Sequence, residues 1–131
     1  MLKRSMLTVE EIKAEVIRLA RKIGAQDYDI PFYPFADSWE GCLDFAVDQR
    51  GYHLLNILRG KEESRFSTSD ADELLYKTLK SVVWNVAQAQ IVQEGVLDQA
   101  RAHLKHEVAV FAVLSSKWAE RREQELEAEI L

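Results

Sequence analysis

Three histidines carry most of the chemical options in this 131-residue chain. His103 and His106 fall one helical turn apart with Glu107 beside them, a spacing at which imidazoles and a carboxylate share a helix face and, in principle, a metal. Zinc and di-iron centres draw further ligands from a second segment, and neither an HExxH nor a paired ExxH pattern occurs here. The spacing therefore reads as a polar helix face, and no metal or cofactor is expected. His53 falls mid-strand within reach of Asp44 or Asp48 across a hairpin, which draws as a general base with a carboxylate to orient it. No nucleophile elbow, oxyanion-type glycine cluster or phosphate loop accompanies it, and Cys42 is equally well placed to face a core, so an enzyme is not the expectation. Arg59 and Arg65 come just before Asp70 and Asp72, where bidentate pairing would fix the crossover from sheet to helix.

The frame that must position these groups is a single domain over residues 1–131, long enough to remove about two thirds of its unfolded surface from water. Apolar residues make up 47% and charged residues 30%, with 5 Gly and 2 Pro, a packed globule's composition. One cysteine makes no internal disulfide, which suits a reducing cytoplasm. No apolar run approaches the roughly 18 residues of a membrane span, and the N-terminus turns polar too soon for a secretory segment. A net charge of −5 repels a phosphate backbone, which argues against nucleic acid as partner.

Thr8 and Glu11 form a capping box ahead of Val9, Ile12, Val16, Leu19 and Ile23, an amphipathic helix closed by Gly24. Cys42 to Val47 alternates in the manner of a half-buried strand, Asp48 to Gly51 supplies a turn, and Tyr52 to Leu58 returns as a central strand of an antiparallel sheet. A charged linker follows, within which Ser64 to Ser67 allows a third short strand. Ser69, Asp70, Asp72 and Glu73 crowd acceptors at the start of a long helix whose seam is Leu75, Leu79, Val82, Val86 and Ala89, ending near Glu94 at Gly95. A second helix over Val96 to Leu114 packs antiparallel to it, and Ser115 and Ser116 cap a separate charged helix introduced by Trp118. The fold class is α+β. In the last helix, Arg121 and Glu125 suit a solvated face.

Charge is segregated along the chain. Residues 25–49 hold six acids (Asp27, Asp29, Asp37, Glu40, Asp44, Asp48) and no Lys or Arg, whereas residues 1–22 hold six bases and three acids. Residues 25–39 also carry both prolines and five aromatics, Tyr28, Phe32, Tyr33, Phe35 and Trp39, and have no regular period. This is an ordered loop, and most of its rings are expected to lid the core. An acidic, aromatic segment also suits a basic partner, since opposite potentials speed encounter. The alternative is a solvated loop.

Two blocks resemble the immunity protein 63 family, antidotes of bacterial polymorphic toxin systems. The first is a Tyr-initiated strand ending in Arg-Gly, a charged linker, and a helix opening Asp-Glu-Leu-Leu-Tyr: Tyr52, Arg59, Gly60, Arg65, Thr68, Asp70, Asp72, Leu74, Leu75 and Tyr76. The second is a Leu-Ser-x-x-Trp tail leading to Glu-Ile-Leu: Leu114, Ser115, Trp118, Arg121, Glu129, Ile130 and Leu131. Where the family pattern has an acid, an aromatic and a proline, this chain has Leu58, Lys77 and Ser116. The resemblance implies a non-catalytic protein that neutralises a cognate toxin by direct contact in the cytoplasm. On that reading Asp27, Asp29, Asp37 and Glu40 attract a basic toxin surface, and Tyr28, Tyr33 and Trp39 anchor it. The competing expectation is a scaffold domain that self-associates through its long helices.

Overall fold

A computed structural model describes residues 6–95 and 99–130, the side chains of residues 99, 100 and 130 apart. Helix α1 (Val9–Lys22) starts at the expected capping box: Thr8 Oγ1 accepts from Glu11 N at 3.1 Å, and Thr8 N donates to Glu11 Oε1 at 2.9 Å. Gly24, at φ 78°, takes the left-handed conformation that turns the chain out of the helix. Ile12, Val16 and Leu19 on its inner face are buried, each contributing about 1.5–3 kcal/mol of apolar burial.

Strands β1 (Cys42–Asp48), β2 (Gly51–Leu58) and β3 (Lys61–Thr68) form an antiparallel sheet in the order β1-β2-β3. The third strand allowed at Ser64 to Ser67 forms, and it takes in the charged linker before it as a full eight-residue strand. The linker's polarity hid that half, because β3 is an edge strand, and charged side chains on an edge discourage pairing with other chains. What turns the chain is Arg59-Gly60: Leu58 pairs with Lys61, and both intervening residues have positive φ, 54° and 75°, the two-residue hairpin turn that matches strand twist. A bulge between Asn56 and Ile57 interrupts the register of β2 with β3.

Helix α2 (Ala71–Glu94) begins at Asp70, whose Oδ1 accepts from Asp72 N at 3.0 Å, and ends at Gly95 with φ 67°. Leu74, Leu79, Val82, Val83, Val86 and Ile91 are buried, but Ala89, expected in the seam, faces out. Helix α3 (Gln99–Leu114) folds back on α2, and α4 (Ser116–Ile130) folds back on α3 after Ser115, whose Oγ accepts from Trp118 N at 3.2 Å. The expected start of α3 at Val96 and the tail residue Leu131 lie outside the described residues. The core gathers Phe45 and Tyr52 from the sheet, the buried faces of α1 and α2, Phe111 from α3 and Trp118 from α4.

The charged C-terminal run is a second departure from expectation. Arg121 caps the Tyr76 ring at 4.2 Å and grips Glu73 through both terminal nitrogens. Arg122 is buried against the equally buried Glu107 at 3.2 Å. Glu125 accepts from the Tyr76 hydroxyl at 2.8 Å and from Lys80 and Arg122, both at 3.2 Å. Burial alone would raise the Glu125 carboxyl, but these three donors carry it down to about 2. The Arg121–Glu125 pair that suits a solvated face does form, at 3.4 Å, but half-buried and at the edge of a polar layer between three helices, with Arg122 and Glu107 sealed inside it.

Candidate functional site

Residues 25–41 run as a single 3-10 turn (Asp27–Asp29) followed by an irregular segment with a cis Tyr33–Pro34 bond. Backbone hydrogen bonds moor the segment to the sheet. Leu43 N donates to Pro31 O at 2.6 Å, Gly60 N to Ser38 O at 2.9 Å and Arg59 N to Trp39 O at 3.2 Å. The Arg-Gly turn therefore fastens this segment through its main-chain amides.

Most of the five rings are expected to lid the core, and only two of them, Phe32 and Phe35, do so. Phe32 is sealed in, edge-on to Phe45 at 5.6 Å, and Phe35 packs edge-on to it at 6.2 Å. Tyr28, Tyr33 and Trp39 stand out, at 77%, 73% and 69% exposure. The split follows side-chain chemistry: the pure hydrocarbon rings go in, and the rings with a polar atom stay wet.

The acids are mostly engaged. Asp27 pairs with Arg21, and Asp37 Oδ1 caps its own turn by accepting from Trp39 N at 2.8 Å and Glu40 N at 3.0 Å. Asp29 is buried with its carboxylate on Gln26 N at 2.9 Å, so it holds the loop's shape from the edge of a hollow against α2. Asp44 lies 3.8 Å from Lys13. Among the described residues Glu40 alone of the four proposed acids has neither an ion pair nor a capping role.

Two hollows divide the aromatic residues. Tyr28 and Asp29 line an open hollow of about 550 Å³ against α2, with Trp84, Asn85, Gln88 and Val92. Tyr33 lines another of about 470 Å³ with Lys13, Cys42, Ile57 and Gly60. Burial pushes the Cys42 thiol up, and the Asp44 and Asp37 carboxylates push it further, which leaves a poor nucleophile.

Trp84 is the residue that sequence reasoning missed. Its ring is 48% exposed and its inner side rests on the His103 ring at 4.8 Å, so the anchor is held in place before any contact. The signal was available: residues 81–93, thirteen positions, carry no charge in a chain that is 30% charged. An uncharged helical stretch is ordinarily covered by its neighbours. Here one face of that stretch, Trp84 with Ala89 and Val92, is open.

The histidines separate. His103 Nδ1 is 3.1 Å from Glu107 Oε2, whereas His106 reaches back to Gln90 at 2.9 Å and Glu94 at 3.1 Å. Among the described residues no group of three or more His, Cys, Asp or Glu is placed to hold a metal, and no helix is long and apolar enough to cross a membrane. His53 does meet Asp48, Nε2 to Oδ1 at 3.0 Å but poorly aligned for a hydrogen bond, while its Nδ1 is 2.7 Å from Ser67 Oγ. The group lies on the strands, away from both hollows.

The anticipated pairing of Arg59 or Arg65 with Asp70 or Asp72 does not form. Because β3 is a strand, it carries Arg59 to the far end of the sheet, and Arg65 pairs with Glu62 at 2.8 Å. Asp70 caps α2, and Asp72 accepts from Trp118 Nε1 at 3.2 Å. The remaining motif residues are also structural. Tyr52 OH accepts from Leu7 N at 2.9 Å, and Tyr76 stacks on Phe111 at 5.3 Å.

No curated protein and no solved structure matches this chain. A family model described as Immunity protein 63 matches residues 48–128, from the end of β1 through α4 and so beginning after the aromatic loop. With its Tyr52, Arg-Gly, Asp70, Tyr76 and Trp118 positions all inside that span, the chain belongs to the immunity protein 63 family.

Proposed function

We propose that this protein neutralises a cognate toxin domain by binding it directly, in the cytoplasm of the toxin-producing cell, with no bond made or broken by its own side chains. The carrying observation is the mostly apolar hollow between Tyr28 and Trp84, whose one acid, Asp29, is buried and tied to Gln26 N. Interface centres are depleted of charge and enriched in Tyr and Trp, whose truncation typically costs the most binding energy. Tyr33 extends the contact from the second hollow, and the exposed Trp39 and Glu40 from the loop that follows it. Asp27 and Asp37 lend it negative potential, although their engagement with Arg21 and with backbone amides makes packing the larger contribution and charge attraction the smaller. Asp29 holds the loop's shape beneath them.

Co-expression with a candidate toxin domain from a neighbouring gene tests the reading. Wild type is expected to restore growth and to co-purify with the toxin. Failure of a folded, abundant wild type to do either would sink neutralisation as the function. The Y28A/W84A double variant places the surface: it should fold, lose co-purification and fail to protect, whereas full protection would move the interface elsewhere.

A further inference from the structure

The last two turns of α3, Val108 to Leu114, are apolar at every position. Val110 and Phe111 point into the core, but Ala109, Ala112 and Val113 are exposed. Beside them a groove of about 370 Å³ runs between α3 and α4, floored by Leu104, Val108, Ala109 and Ala112. Its α3 wall carries Lys105 and its α4 wall carries Glu123 and Glu127. None of these three charges is engaged in an ion pair among the described residues. In contrast, Arg121 and Arg122 on the same helix are turned inward onto Glu73 and Glu107. The groove is thus apolar along its floor, positive on one side and negative on the other.

The geometry points to a second copy of this chain as the occupant. A two-fold axis running along the groove would lay α3 of each protomer over α4 of its partner. Each Lys105 would then face the acidic wall opposite, so both pairings would form at once, as an isologous contact requires. Ala109 and Ala112 are small enough to let the helices approach closely, and the four helices would pack as an antiparallel bundle. A toxin with an all-basic face fits less well, since Lys105 would oppose it. This surface shares no residue with the hollow at Tyr28 and Trp84, so it neither requires nor competes with the toxin reading.

Sedimentation velocity of the full chain alone, from low micromolar to a few hundred micromolar, is the test. A monomer–dimer equilibrium is expected. K105E should weaken it by roughly tenfold or more, through like charges meeting across the groove, and A109D should abolish it. Combining K105E with E123K and E127K exchanges the two walls and should restore the dimer, with circular dichroism confirming that each variant is folded. W84A should leave the equilibrium untouched. A monomer at every concentration overturns the proposal. So does a dimer indifferent to both K105E and A109D, or one lost in W84A.

Discussion

The α2–α4 polar layer and the aromatic loop sit in one small domain and treat charge in opposite ways. Between the helices, Glu107, Arg122, Glu125, Arg121 and Glu73 are drawn together and satisfied side chain to side chain. Along the loop, Asp27, Asp29 and Asp37 are held singly by a neighbouring Arg or by backbone amides, and Tyr28, Tyr33 and Trp39 reach solvent beside the exposed Glu40. The first region spends ionised groups to hold three helices in register. The second uses them to shape a turn, and leaves its aromatic surface for something else. Counting charges per segment would therefore misplace the site: a run such as Lys117 to Glu129 looks open and is partly sealed, whereas the uncharged stretch around Trp84 looks sealed and is partly open.

The largest effect that would break this contrast is expected at Glu107. E107A leaves the Arg122 guanidinium buried without its main partner and should cost about 3–5 kcal/mol in urea unfolding, while E123A on the outer face of α4 should change stability by no more than about 0.5 kcal/mol. Equal effects would mean that the polar layer is not sealed. Adjacent rings in the loop offer a second comparison. F32A should lose about 3–4 kcal/mol of stability through the cavity it opens, and Y33A almost none. A smaller effect tests the acid branch of the polar layer. Because the Glu125 carboxyl is held near 2 in the folded protein, its contribution is complete above its unfolded value near about 4.3 and is lost as pH falls through about 2. Thermal melts between those limits should therefore fall less steeply for E125Q than for wild type. The smallest change is expected from Glu40: E40K should slow toxin association at low salt by only about twofold, and a tenfold slowing would return charge attraction to first place.

Much of the frame was legible in the residues. The Thr8 and Glu11 box, the hairpin alternation from Cys42 to Leu58, the acceptor cluster at Asp70 and the break at Ser115 are local signals, each decided by atoms within a few residues. What escaped depended on partners distant in sequence. Only the Ser64 to Ser67 half of β3 is legible, because an edge strand has little to bury, and its turn uses Arg where Asn is the commoner companion of Gly. The inward rotation of Arg121 and Arg122 cannot be read from spacing, since pairs four apart look alike on a wet face and a sealed one. Of the candidate site, the loop's exposed aromatics were named and two of its five rings went to the core, as hydrocarbons do. Trp84 escaped because a tryptophan among Val, Ala and Ile in a helix reads as core until the absent neighbour is seen.

The mooring of residues 31–43 by main-chain amides has a consequence for divergence. Pro31, Ser38 and Trp39 contribute carbonyl oxygens, and any residue has one, so the tether imposes little on which side chains the segment displays. On the proposed role, lineages that meet a different partner surface are free to rewrite Tyr33 or Trp39 while inheriting the same attachment points, with the Arg-Gly turn acting as a clasp indifferent to what it holds.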